Sequence, residues 1–163
     1  MSAPKKLLLS CLVAATLAAM VLVALRGHFV GSLAKTPAPV SQTYRLTINN
    51  AAAPDGHSTY LLQAAETTAD QARGLGGLDT LPTNRGMIFI YSGDQQQCFW
   101  MKDMRFAIDM LWLDHTKTVT YVEPSVSPST YPNTYCHTGQ YIIELNAGQA
   151  AQSNLKSGQK VTF

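Results

Sequence analysis

The chain has 163 residues, 46% of them hydrophobic and 13% charged, with a formal net charge of +2. That length accommodates one domain of ordinary size plus an appendage. The charge misleads: Lys5, Lys6 and Arg26 flank an apolar run, which leaves nine basic residues against ten acidic ones elsewhere, with no basic run and no basic–aromatic interleaving, so nucleic-acid binding is unsupported.

Residues 7–25 are all apolar or small, without charge, Gly or Pro. At about 1.5 Å per residue such a run crosses a hydrocarbon core roughly 30 Å thick. The expectation is a transmembrane signal anchor over residues 1–26, with the rest of the chain outside the cytoplasm. The competing reading is a cleaved signal peptide, with Ser32-Leu33-Ala34 as the cut site. In that case the protein is secreted rather than held as a single-pass membrane protein. Cys11 lies too close to the start of the run to follow a signal core, and reads as a small residue within the span.

Residues 27–42, with Pro37 and Pro39, read as a tether. The domain is expected over residues 43–163. Tyr44, Leu46 and Ile48 alternate with Arg45 and Thr47, the period of a half-buried strand. Residues 49–57 form a turn around Pro54-Asp55-Gly56, and residues 58–65 a second strand. Thr67 or Thr68 caps a short helix, with Asp70 or Gln71 as the capping-box partner, and Gly74 ends it.

Further strands are expected at residues 86–91 (apolar on both faces), 98–102, 109–114, 118–123, 141–146 and 160–163. Residues 92–97 read as a polar turn. Residues 124–139 form a long loop rich in Pro, Ser, Thr, Tyr and Asn, of the kind that often carries function. A second helix is expected over residues 147–155. The whole reads as a mostly β (α+β) domain, an antiparallel sandwich or barrel with two short helices at its ends, preceded by one transmembrane helix.

Beyond the membrane run the chain has two cysteines, Cys98 and Cys136. Export permits their oxidation, and an even count favours a structural disulfide. Two free thiols, or a nucleophilic cysteine served by His115 or His137, are the alternatives.

Strand alternation suggests a site. Cys98, Trp100 and Lys102 share one face, opposite Phe99 and Met101. Ile142, Glu144 and Asn146 share another, as do Asp109, Leu111 and Leu113. One reading is a concave ligand site where Arg73, Lys102, Asp109, Glu144 and Asn146 converge, walled by Trp100 and Met101. The other is a set of ion pairs and backbone bonds that holds the helix and loops onto the sheet. The four histidines lack paired ligand spacing, and no nucleotide or cofactor fingerprint occurs, so neither metal nor cofactor is expected.

Four stretches in order, ETTADQARGLGG from Glu66, GMIFIY from Gly86, FWMKDMRFAIDMLWLD from Phe99 and ELNAG from Glu144, resemble the domain of unknown function 192 family, found mainly in bacteria and archaea. The resemblance implies a mostly β, jelly-roll-like domain, often with an N-terminal signal or anchor, and implies no reaction. The chain departs from the family pattern at Gly76, where a methionine is usual, and at Asp103, where an asparagine is usual. It also departs at Cys136, which lies at the far end of its loop rather than near the proline end.

The expected function is therefore an extracytoplasmic, membrane-anchored domain that binds a small molecule, glycan or peptide. A small hydrolase or lyase using Lys102 with Asp109 or Glu144, and a structural partner of another membrane protein, are the alternatives.

Overall fold

The computed structural model describes residues 41–163. The membrane run at residues 7–25, the cut site at residues 32–34 and nearly all of the tether lie outside the described residues. Among those described, no helix is long and apolar enough to cross a membrane.

Six strands, β1 (Thr43–Asn49), β2 (His57–Ala65), β3 (Arg85–Trp100), β4 (Ile108–Leu113), β5 (Val119–Val126) and β6 (Thr134–Asn146), form one mixed sheet in the order β1-β2-β3-β6-β4-β5. Two short helices accompany it: α1 (Thr68–Arg73) and α2 (Gln149–Gln152). The mostly β class with two helices is as expected.

The wholly antiparallel expectation is corrected at one pair. Strands β2 and β3 run parallel, because the chain leaves β2 through α1 and returns to start β3 beside it in the same direction. Every other neighbouring pair is antiparallel. The strand count also falls. Residues 92–97 do not turn back; β3 continues through them, shifts register between Ile90 and Gln95, and pairs Gln95 to Gln97 with β6. Their polarity reflects an exposed stretch of strand rather than a turn. The long loop shrinks for a similar reason: β5 runs to Val126 and β6 starts at Thr134. A single 3-10 turn, Pro128–Thr130, lies between them. The second helix covers only Gln149–Gln152. Residues 160–163 add no strand, but Thr162 bridges Thr47 beside one sheet edge and Lys160 bridges Thr118 beside the other.

Both faces of the central strands are covered, which explains why β4 and the first part of β3, Gly86 to Tyr91, read as nearly continuous apolar runs. Ile88, Leu111, Leu113, Ile143 and Leu145 pack with Leu46, Ile48 and Leu62 on one side. Met87, Phe89, Met110, Trp112 and Ile142 pack with Leu75, Phe99 and Met101 on the other. Glu144 shares the second face with these apolar residues, because its register partners on β3 and β4 are Met87 and Met110.

Candidate functional site

The site is built where α1 ends, β3 ends and β6 passes beneath. Thr67 caps α1 reciprocally: its Oγ1 accepts from the Asp70 backbone N–H at 3.0 Å and donates to Asp70 Oδ2 at 2.7 Å. Asp70 also accepts from Arg73 Nη2 at 2.6 Å, and with the Thr67 hydroxyl as the leading favourable contact its carboxyl is held below the usual range. The helix buries none of its own residues. It is anchored by Leu75, 1% exposed, in the residue pair that follows it.

That anchoring needs a sharp exit from the helix. Gly74 supplies it with φ +53°, a conformation that side-chained residues rarely adopt. The turn then docks on the segment after β3, where the Gly77 N–H donates to the Asp103 carbonyl at 2.9 Å. A cavity of about 800 Å³ opens there, lined by Arg73, Lys102, Asp103 and Arg105 among others. Their charges are largely committed locally, since Arg73 pairs with Asp70 and Arg105 with Asp79. Among the described residues Lys102 has no ion-pair partner.

A smaller cavity of about 230 Å³ shares Ala72, Arg73, Lys102 and Met104 with the first and extends inward past Leu75, Phe89, Tyr91 and Phe99 to Glu144. Glu144 is 4% exposed, and its Oε2 is buried without a hydrogen-bond partner. Burial pushes its carboxyl up to about 8, against the opposing pull of the Leu75 backbone N–H. Burial, followed by the nearby Glu144, raises the Tyr91 hydroxyl as well. A carboxyl of this kind carries its proton at neutral pH and can either donate a hydrogen bond or, once ionised, meet a cation.

Of the residues expected to converge, Arg73, Trp100, Lys102 and Glu144 do line this cavity. Trp100 is 48% exposed at its border. The other three are elsewhere. Met101, the residue after β3, is a core residue in one cluster with Leu75 and Phe99. Asp109 faces the opposite side of the sheet, where its carboxylate accepts from the backbone N–H groups of Ser125 at 2.8 Å, Gly148 at 3.1 Å and Ala150 at 2.8 Å. Asn146 donates to the Leu81 carbonyl at 2.7 Å and so holds the approach to β3. Tyr91 was missed by sequence reasoning although its signal was present, since it shares the Met87–Phe89 face of β3.

Cys98 and Cys136 are directly opposed on β3 and β6 and joined by a disulfide. With both sulfurs bonded, the nucleophilic reading of either cysteine loses its thiol. The histidines offered as its base are engaged separately: His115 Nδ1 lies 2.6 Å from Asp94, and His137 stacks on Tyr121 with ring centroids 3.6 Å apart. Cys98 borders the smaller cavity.

Residues 50–163 match the family DUF192, described as an uncharacterized ACR. No curated protein matches the chain. Among solved structures, a protein of unknown function from Novosphingobium aromaticivorans DSM 12444 superposes with a TM-score of 0.67 at 24% identity, over 78% of this chain and 89% of that one. A proposed transcription regulator from Sinorhizobium meliloti 1021 superposes with a TM-score of 0.68 at 18% identity, over 77% of this chain and 96% of that one. At these identities the two likenesses concern the fold alone.

Proposed function

The chain belongs to the domain of unknown function 192 family, and from that premise we propose that its β domain is a binding module of the cell envelope, holding a small molecule, glycan or peptide in the groove between α1 and the end of β3. The observation that carries this reading is the buried Glu144 Oε2, left without a partner beside a cavity walled by Leu75, Phe89 and Phe99. An orphaned buried polar atom costs free energy that a bound ligand recovers. A few polar groups on an apolar wall describe a small-ligand site.

In this reading residues 7–25 hold the chain to the membrane with the domain outside. The apolar length of that run supports this, and a disulfide accords with an oxidising compartment. The finer architecture is a jelly-roll-like barrel, supported by residues 160–162 reaching both sheet edges.

The test is a melting-temperature screen of the full-length protein in detergent against sugars, amino acids, short peptides and other envelope compounds. The expected hit raises the melting temperature of the natural protein but not of Glu144→Gln or Lys102→Ala. No hit, or hits that survive both substitutions, would count against the groove. A second reading has one observation in its favour: a carboxyl held protonated at neutral pH is suited to act as a general acid. It predicts turnover that is lost in Glu144→Gln while the fold persists.

A further inference from the structure

Glu144 and Lys102 line the same cavity of about 230 Å³, Glu144 as a buried residue and Lys102 as an exposed one. Leu75, Phe89 and Phe99 line the same cavity and supply its apolar surface. We propose that the groove takes a small zwitterion with an apolar body, of the α-amino-acid class, its ammonium group against Glu144 and its carboxylate at Lys102. This rests on the binding reading above and names the ligand class.

Three features favour that class. Glu144 Oε2 lacks a partner, and an ammonium group brings three donors to a buried acceptor. Lys102 is the cation at this cavity with no ion pair among the described residues, whereas Arg73 is held by Asp70. The cavity volume suits a single amino-acid body and leaves the apolar wall to cover it.

Proton balance follows directly. The Glu144 carboxyl, pushed up to about 8, is protonated at neutral pH. An incoming ammonium keeps its own three protons, and Glu144 loses its one to solvent as the ion pair forms. The groups around it are few: Tyr91 from β3, Arg73 from α1 and Lys102 after β3 border the cavity with it. Strand β4 meets it with Met110, and Asp109 lies across the sheet. Binding therefore tightens as pH rises toward the value at which Glu144 ionises unaided, and releases close to one proton at lower pH.

The test is calorimetric titration of the full-length protein in detergent with phenylalanine, phenethylamine and N-acetylphenylalanine. Titrations are run at pH 6.5 and 8.5, in buffers of different ionisation heat. Phenylalanine is expected to bind about twentyfold more tightly at pH 8.5 than at 6.5, with proton release at the lower pH. Lys102→Ala is expected to weaken phenylalanine about tenfold and leave phenethylamine unchanged, and Glu144→Gln to remove the pH dependence. Preference for N-acetylphenylalanine, with affinity falling above pH 8, overturns the zwitterion and keeps the binding module. Absence of binding by phenylalanine and phenethylamine overturns it too; screening hits that still depend on Glu144 then show that the module itself stands.

Discussion

Asp109 and Glu144 belong to neighbouring strands of one ladder, yet their carboxyls point to opposite sides of the sheet. The β4–β6 register sets Glu144 against Met110 and Asp109 against Leu145, so one residue of offset sends the two acids apart. They consequently do different work. Asp109, 1% exposed, accepts three backbone N–H bonds and serves as a remote cap for α2, which has no side-chain cap of its own.

Replacing Asp109 by Ala strands three backbone donors. A loss of about 3 kcal/mol in stability is expected, read from urea unfolding of the full-length protein. Ligand affinity measured well below the melting point should stay within twofold of the natural protein. Unchanged stability would refute the capping role, and a large affinity loss would return Asp109 to the groove.

The pH dependence of stability follows from Glu144. Its native value near 8 lies above the ordinary 4.5, so the folded state binds more protons than the unfolded one across that window. Stability is fully present below about pH 4.5, declines as pH rises toward 8, and levels off above it. Between pH 5.5 and 8 the decline should be on the order of 3 kcal/mol. Glu144→Gln, which cannot ionise, should flatten this part of the profile. Melts at matched ionic strength decide it, and a natural protein that grows more stable over this window would contradict the burial account.

How far the sequence revealed this arrangement depended on the range of the interaction. The α1 cap was legible because Thr67, Asp70 and Gly74 act within one turn of chain. The inward face of β1 was legible from simple alternation at Leu46 and Ile48. Arg73, Lys102 and Glu144 were picked out by residue type and parity, but parity alone could not set Asp109 against Glu144, since inter-strand register is a non-local quantity. The continuity of β3 through Gln95 to Gln97 was hidden for the same reason: its partners lie some forty residues away on β6. The parallel β2–β3 pairing had no local signature either, only the short crossover through α1.

The disulfide joins residues 38 apart in sequence. Closing such a loop removes unfolded-chain entropy worth roughly 3–4 kcal/mol. Reductant, or the double substitution Cys98→Ser with Cys136→Ser, is therefore expected to lower the melting temperature by about 10 °C. Equal melting temperatures with and without reductant, in protein whose thiols are shown to be free after treatment, would remove the bond from the stability account.

Gly74 and Gly77 offer a paired test of how tightly α1 is seated over the acid. Both have positive φ, +53° and +82°, so alanine at either carries a backbone penalty of at least about 1 kcal/mol, and Gly74, with ψ −134° outside the left-handed well, carries the larger one. They differ in surroundings. A Cβ on Gly77 would meet nothing within 4 Å, while one on Gly74 would lie 3.3 Å from Glu144 Oε2 and 3.4 Å from Phe89 Cζ. Gly74→Ala should therefore cost about 1–2 kcal/mol more than Gly77→Ala, because the new methyl crowds a carboxyl and a ring that are already packed. It should also weaken ligand binding, which Gly77→Ala leaves alone, since the crowded atoms are the ones the ligand must reach. Equal costs in unfolding experiments would mean that the Glu144 side chain moves aside freely, and a site floored by a mobile acid could not hold a ligand in the way argued above.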